Sequence, residues 1–195
     1  MTNFIGEYII SNVSICDELI EYFNNHSRKR EGTVGPRSDL RKEIKDSTDL
    51  TIFPDPGVNK LIDRYILKEL QVCLDQYREK YLYSKRTQAP IGIVEPFGIQ
   101  HYAPGQGYHG WHTERGTSAP PECYRHLVFM TYLNDVTDDG ETEFYHQNVK
   151  IKPKKGLTLI WPVDWTFTHR GIVSKTQEKY IITGWYSYLP EQEHQ

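Results

Sequence analysis

Residues 157–188 read LTLIWPVDWTFTHRGIVSKTQEKYIITGWYSY, and this stretch decides the fold class. Its short runs of leucine, isoleucine, threonine, tyrosine and tryptophan are separated by turn signals such as the Pro-Val-Asp of 162–164. Runs of this length and composition, bounded by turn residues, are typical of β-strands in a sandwich or an open barrel. The same pattern begins after Pro90 and continues to Leu189, so the C-terminal half is predicted to be all-β.

Nine strands are predicted in this half from the position of the apolar runs and the turn residues between them. They are placed at residues 91–94, 98–103, 110–114, 124–133, 142–145, 149–151, 157–161, 167–170 and 179–188.

The residues before the β half predict two helices that cover one face of it. Residues 14–26 carry Ile15, Leu19 and Phe23 at a spacing of four, which is the repeat of an amphipathic helix. A second and longer apolar stripe of the same period runs through residues 56–81.

The segment 27–49 between the helices is polar and basic, and it predicts a solvated, mobile loop near the mouth of the site. A binding surface for nucleic acid or an acidic protein is the alternative. Its basic residues are Arg28, Lys29, Arg30, Arg37, Arg41, Lys42 and Lys45. The predicted fold class is α+β, mainly β, in a single domain over 1–195. Helical support and the basic loop occupy 1–85, and the β core occupies 90–189.

Composition and charge narrow the class of protein. The 195 residues include 23 Lys and Arg against 26 Asp and Glu, a net charge of −3, so no overall field attracts nucleic acid or anionic lipid. No apolar run has the length that a bilayer requires, and the N-terminus has neither a basic region nor a long apolar core. The three cysteines are widely spaced and form no Cys-x-x-Cys motif. We therefore expect a soluble, cytoplasmic protein without contact to a membrane.

Residues 108–114, YHGWHTE, hold two histidines and a carboxylate. Side chains two residues apart on a strand share a face, so His112 and Glu114 are expected to project together while His109 points elsewhere. A His-x-Glu pair alone is a weak signal, because such pairs are more often part of a solvated or hydrogen-bonded strand face.

His169 is the best candidate for a third ligand, because it follows a strand-turn-strand passage that returns to the mouth of the barrel. Two histidines and one carboxylate make the facial triad of non-haem Fe(II) oxygenases, which leaves three neighbouring positions open.

Lys179 lies ten residues beyond His169 and begins a strand on which Ile181, Thr183 and Trp185 share its face. The apolar run after it predicts a central strand, where an unpaired inward charge would be costly. An exposed lysine at a strand end is the alternative. If the lysine is buried, a dicarboxylate cosubstrate would supply its anionic partner.

These residues belong to a longer series of motifs: 99–108 (IQHYAPGQGY), His112-x-Glu114, 132–135 (YLND), 140–144 (GETEF), Pro153-x-x-Gly156, 169–171 (HRG), and Lys179-Tyr180 with Trp185. The series resembles the 2-oxoglutarate- and Fe(II)-dependent dioxygenases, specifically the prolyl 4-hydroxylase-like branch. The resemblance spans about 96–188 with every motif in the order of the family, so it is more specific than any single motif.

The resemblance implies a double-stranded β-helix, or jelly roll, with iron held by His112, Glu114 and His169. It also implies that Lys179 binds the distal carboxylate of 2-oxoglutarate. The remaining residues that the resemblance places at the cosubstrate are Tyr132, Tyr102, Thr183 and Trp185. One position departs from the family, which usually has aspartate where this chain has Glu114; the extra methylene lets the carboxylate reach further.

The function implied by the resemblance is hydroxylation of a C–H bond, on a peptidyl proline or a related residue, with release of succinate and CO2. It implies Fe(II), 2-oxoglutarate and dioxygen, with ascorbate as a candidate reductant. Three alternatives stay open: a small-molecule substrate, a nucleobase substrate, and a non-catalytic jelly roll that binds a metal or ligand. A nucleic acid is not favoured, because nucleic acid demethylases of this fold usually carry arginine at the position of Lys179.

Overall fold

Strands account for most of the regular structure in the computed structural model, which describes residues 2–35, 39–86 and 89–189. The strands are β1 (Gly6–Ile9), β2 (Arg30–Glu31), β3 (Lys45–Asp46), β4 (Thr48–Ile52), β5 (Ile91–Gly92), β6 (Phe97–Tyr102), β7 (Gly107–Tyr108), β8 (Arg125–Tyr132), β9 (Thr142–Phe144), β10 (Val149–Ile151), β11 (Leu157–Pro162), β12 (His169–Gly171) and β13 (Lys179–Tyr188). The helices are α1 (Ile15–Asn25), α2 (Lys60–Arg64) and α3 (Gln71–Lys80), with a π-helical segment, Tyr65–Leu70, between the last two.

The strands form one large and two small antiparallel sheets. The large sheet has eight strands in the order β1-β11-β8-β13-β6-β4-β2, and β5 pairs with the end of β13. A three-stranded sheet has the order β10-β9-β12, and β3 pairs with β7. The chain is therefore mainly β, as predicted, with the helices packed on the large sheet.

Alternation along β8 shows where the two halves of the core lie. Leu127 and Phe129 pack with helix residues, whereas Val128 and Met130 pack with residues of the three-stranded sheet such as Phe144. Successive side chains on a strand point to opposite faces, so a strand buried on both faces is apolar at nearly every position. This explains why the central strands appear in the sequence as continuous apolar runs.

The second predicted helix begins later than expected, at Lys60 instead of residue 56. Gly57 has a φ of +81°, in the left-handed region that a helix does not continue through. The Asn59 side chain then accepts hydrogen bonds from the backbone amides of Leu61 and Ile62, at 3.0 and 3.3 Å, and caps the helix start.

The predicted loop 27–49 is wrong as a description of the whole segment, because it contributes β2, β3 and the start of β4. Leu50 and Ile52 alternate with polar residues and are buried, which is the pattern of a strand with one face on the core. Arg37, one of the predicted basic residues, lies outside the described residues. Lys45 is 4% exposed and so is not part of a solvated face.

Two predicted strands near the site are also shorter than expected. In residues 110–114 only His112 forms a bridge, to His169, and residues 165–167 form a 3-10 turn that delays β12 until His169. Strand β1 was not predicted from the sequence; it adds to the edge of the large sheet by pairing with β11.

None of the helices in the described ranges combines the length and the apolar character needed to cross a bilayer.

Candidate active site

Two side chains of residues 112–114 and a third from residue 169 converge between the sheets. The ligand atoms of His112, Glu114 and His169 all lie within 4.8 Å of one another. Glu114 Oε1 is 3.6 Å from His112 Nε2 and 3.4 Å from His169 Nε2. A backbone bridge produces this meeting, since the amides of His112 and His169 donate to each other's carbonyls at 3.0 and 2.9 Å. His109 is not part of the group that converges.

The backbone fixes the orientation of both imidazoles. The Nδ1 atom of His112 lies 2.9 Å from the Gly110 carbonyl, and that of His169 lies 3.0 Å from the Phe167 carbonyl. A carbonyl only accepts, so each Nδ1 carries a proton and donates it, which makes Nε2 the nitrogen that faces Glu114 and could bind a metal. The Tyr108 ring stacks on the His112 ring, with centroids 3.7 Å apart and planes 5° apart.

The pKa shifts of Glu114 and His112 also suit a metal ion. Burial alone would raise the pKa of Glu114, but hydrogen bonds to His112 and His169 and their charges outweigh it and hold the pKa well below its usual range. Burial and the neighbouring His169 lower the pKa of His112. A carboxylate and neutral imidazoles are the forms that bind metals. Neighbouring ligands of one ion lie about 3 Å apart when metal-ligand bonds are about 2.1 Å, so the separations of 3.6 and 3.4 Å require only a small inward movement of the side chains.

Lys179 lies at the start of β13 and is 5% exposed. Its ammonium donates to the Gly140 carbonyl at 2.9 Å and lies 5.1 Å from the centroid of the Tyr102 ring. Burial lowers the pKa of Lys179 to about 8, and the charge of Glu141 opposes this effect. Within residues 2–35, 39–86 and 89–189, no carboxylate lies within ion-pair distance of the ammonium. A buried cation in this state favours an anionic ligand.

Two tyrosines predicted at the cosubstrate are buried in the same region. The Tyr132 hydroxyl lies 2.5 Å from Thr142 Oγ1 and donates to the Ile151 carbonyl at 3.2 Å. The Tyr102 hydroxyl donates to Gln100 Oε1 at 2.5 Å. Burial raises the pKa of both tyrosines, so both hydroxyls keep their protons at neutral pH.

The last two predicted residues share the inward face of β13. Thr183 Oγ1 donates to the Phe129 carbonyl at 2.9 Å, and Trp185 Nε1 donates to Glu114 Oε2 at 3.0 Å. A cavity of about 820 Å³ is lined by all eight predicted site residues, Tyr102, His112, Glu114, Tyr132, His169, Lys179, Thr183 and Trp185. A second cavity of about 830 Å³ lies beside α2 and β4 and contains none of these eight.

Sequence reasoning missed an ion pair at the edge of this cavity. Lys45 Nζ lies 2.6 Å from Asp49 Oδ2, and the ammonium lies 5.7 Å from the centroid of the Tyr108 ring. The spacing of four residues and the alternation through 48–52 were available as signals, but the high charge of the segment favoured a loop.

Sequence reasoning also missed a second ion pair, between Arg125 and Glu95, which is buried next to the backbone of Glu114. Arg125 donates to both carboxylate oxygens of Glu95, with its Nη2 2.8 Å from Oε2, and also donates to the Glu114 carbonyl at 2.8 Å. Arg125 and Glu95 are 30 residues apart, and no periodicity in the sequence connects them.

Comparison with known proteins agrees with this site. Residues 97–187 match the model of the 2OG-Fe(II) oxygenase superfamily, so this segment of the chain is similar to that superfamily. The matched segment contains every residue of the cluster and of the predicted cosubstrate pocket. The family name implies Fe(II), 2-oxoglutarate and dioxygen as its metal, cosubstrate and oxidant.

A curated relative is a prolyl hydroxylase. A probable prolyl 4-hydroxylase 9 of Arabidopsis thaliana is 29% identical over 129 residues, which is 52% of this chain and 44% of that protein. The chain therefore spans less than half the length of this curated relative.

Solved structures share the fold. A prolyl hydroxylase of Trichoplax adhaerens, in complex with a fragment of hypoxia inducible factor, has a TM-score of 0.73 at 19% identity, covering 96% of this chain and 84% of that one. A prolyl-4-hydroxylase of Pseudomonas putida has a TM-score of 0.71 at 18% identity, covering 95% and 94%. A viral collagen prolyl hydroxylase of Paramecium bursaria Chlorella virus-1, in complex with 2-oxoglutarate, has a TM-score of 0.65 at 22% identity, covering 96% and 97%. At these identities the similarities show the fold alone.

Proposed function

We propose that this protein is an Fe(II)- and 2-oxoglutarate-dependent dioxygenase that hydroxylates a C–H bond of a peptidyl proline or a related residue. One observation carries the proposal. The buried group of His112, Glu114 and His169 shares a cavity with Lys179, a buried cation that has no carboxylate partner among the described residues.

In this proposal His112, Glu114 and His169 hold the ferrous ion. When bound, Fe(II) with 2-oxoglutarate and dioxygen supplies the oxidising power for hydroxylation, with release of succinate and CO2. The protein itself fixes the orientation of the metal ligands. The carbonyls of Gly110 and Phe167 keep the Nδ1 protons in place, so both imidazoles present Nε2 to the ion without a change of tautomer.

Lys179 binds the distal carboxylate of 2-oxoglutarate in this proposal. Lys179 is buried, and the loss of solvent around its ammonium strengthens the attraction to a carboxylate. The Tyr132 hydroxyl lines the same cavity and would donate to the carboxylate by turning away from the Ile151 carbonyl, while the Tyr102 ring and Thr183 complete the wall. We also propose ascorbate as a reductant that keeps the iron ferrous.

A peptide is the substrate class that the mouth of the cavity favours. Trp111 and Tyr145 are 39% and 61% exposed, and their rings meet edge to face with centroids 5.2 Å apart. The Arg170 guanidinium lies 4.3 Å from the centroid of the Trp111 ring, and both residues line the cavity. Exposed aromatic rings bind proline-containing segments in extended conformations.

We further propose that 1–195 act as one domain, in which 90–189 form a double-stranded β-helix and 1–85 support it. The antiparallel sheets and the helix residues packed on the large sheet support this division. A cytoplasmic location is part of the proposal. Its support is that Cys16, Cys73 and Cys123 are free, with burial raising the pKa of Cys16 to about 12 and that of Cys73 to about 11.

The experiment is succinate release from 2-oxoglutarate by purified protein with Fe(II) and ascorbate. We expect slow release without a prime substrate, and stimulation by proline-containing peptides that gain one oxygen by mass spectrometry. His169→Ala is expected to abolish turnover and iron retention, whereas the matched variant His109→Ala is expected to keep both. Equal losses in the two variants, or no succinate from the wild type, would contradict the proposal.

A further inference from the structure

The two oxygens of Glu114 have different partners. Oε1 faces His112 and His169 at 3.6 and 3.4 Å, whereas Oε2 accepts the hydrogen bond of the Trp185 indole at 3.0 Å. The indole has a single N–H and no acceptor, so it distinguishes one carboxylate oxygen from the other. Only one oxygen of the glutamate is then directed at the histidines.

The indole is itself held in place. The Arg125 guanidinium lies 3.5 Å from the centroid of the Trp185 ring, a close cation-π contact. The same guanidinium grips the buried Glu95 carboxylate with two nitrogens and donates to the Glu114 carbonyl. Glu95 also accepts from Ser187 Oγ at 2.8 Å. One arginine therefore fixes both the backbone of Glu114 and the ring that holds its side chain.

We propose that Trp185 is a positioning residue that lets glutamate act as a one-oxygen metal ligand where the family usually has the shorter aspartate. The inference rests on the proposed metal site. A glutamate reaches about 1.5 Å further than an aspartate and has one more rotatable bond. Left free, both of its oxygens can swing to the ion and occupy a position that the cosubstrate or dioxygen needs. The indole keeps Oε2 away from the ion and leaves Oε1 as the ligand.

The test measures binding of Co(II), used alone as a probe for the divalent site, by titration and by its visible absorption. Trp185→Phe keeps an aromatic ring for Arg125 but removes the N–H. We expect Co(II) affinity to fall by about 10- to 100-fold, the usual effect of losing a partner of a metal ligand. The absorption bands should also change, because a released Oε2 alters the number of oxygens on the metal. Trp165→Phe is the matched control, since Trp165 is 66% exposed, and its affinity should equal that of the wild type.

Glu114→Asp gives a second test that leaves the indole intact. The shorter carboxylate cannot reach both the indole and the metal position, so we expect Co(II) affinity at least about tenfold below that of the wild type. In this background Trp185→Phe should change the affinity by less than about twofold, because the bond that it removes is already lost.

Three results overturn the inference. Equal Co(II) affinity and spectra for wild type and Trp185→Phe, or an undiminished affinity for Glu114→Asp, would overturn the role of Trp185 and leave the proposed function standing. A wild type that binds no Co(II) would overturn both the inference and the proposed function.

Discussion

Replacing Lys179 with methionine is expected to make the protein more stable at neutral pH while removing its affinity for 2-oxoglutarate. The reason is that the Lys179 ammonium is buried where we propose that a carboxylate of 2-oxoglutarate binds. Without 2-oxoglutarate, its charge lies in a poorly solvated cavity. Methionine is unbranched and of similar length, so it fills the same space without the charge.

The magnitude follows from the pKa. A pKa of Lys179 lowered from 10.5 to about 8 by burial means that holding the charged amine in the folded protein costs about 3 kcal/mol. Lys179→Met removes this cost but also removes the 2.9 Å hydrogen bond to the Gly140 carbonyl, which lowers the stability by about 1 kcal/mol. Lys179→Met should therefore raise the free energy of unfolding by about 2 kcal/mol at pH 7.

The increase in the free energy of unfolding caused by Lys179→Met must also depend on pH. Below pH 8 the Lys179 amine is charged in the folded and the unfolded protein, so the folded wild type bears the full free-energy cost of burying the charge. Between pH 8 and 10.5 the folded protein releases its proton first, and above 10.5 the cost is gone. Urea unfolding at pH 7 and at pH 10 measures the difference in stability between Lys179→Met and the wild type. This difference should be smaller at pH 10.

Lys45→Met is the matched control, because Lys45 is equally buried but paired with Asp49 at 2.6 Å. Removing one partner of a buried pair leaves the other charge uncompensated, so this variant should be less stable by about 3 kcal/mol. If Lys179→Met destabilises the protein as Lys45→Met does, or if it still binds 2-oxoglutarate with wild-type affinity, the reasoning is refuted.

Three further predictions follow from the same contacts. Affinity for 2-oxoglutarate should fall about tenfold between pH 7 and pH 9, because a Lys179 with a pKa of about 8 is mostly neutral at pH 9; calorimetric titration showing a flat profile would contradict it. Arg125→Met should lower the free energy of unfolding by about 3–5 kcal/mol, since it leaves the Glu95 carboxylate buried and unpaired; a loss below about 1 kcal/mol in urea unfolding would oppose this. Thr131→Val should cost about 1–3 kcal/mol by leaving the buried Tyr65 hydroxyl, 2.8 Å away, without this partner, and an unchanged thermal midpoint would argue against it.

The β half could be predicted because its signal is local. Strands 149–151 and 179–188 have the predicted bounds, since each run of strand-forming residues is bounded by turn residues. The inward direction of Lys179 also followed from the apolar run after it. The structure places Ile181 from the same face in the core between the sheets.

The rest of the site depends on contacts that sequence patterns do not encode. The bond between Trp185 and Glu114 joins residues 71 apart and depends on how β13 lies relative to a segment that is not a regular strand. The burial of Lys45 was missed because a high local charge predicts solvent exposure, whereas its pairing with Asp49 makes burial tolerable.

The central claim is that His112, Glu114 and His169 hold one ferrous ion beside a 2-oxoglutarate bound by Lys179. The most direct measurement is the visible absorption spectrum of the protein without oxygen, as Fe(II) and 2-oxoglutarate are added. A charge-transfer band that needs both additions is expected in the wild type and in His109→Ala, and it should be absent in His169→Ala. No band in the wild type, or an undiminished band in His169→Ala, would contradict the account.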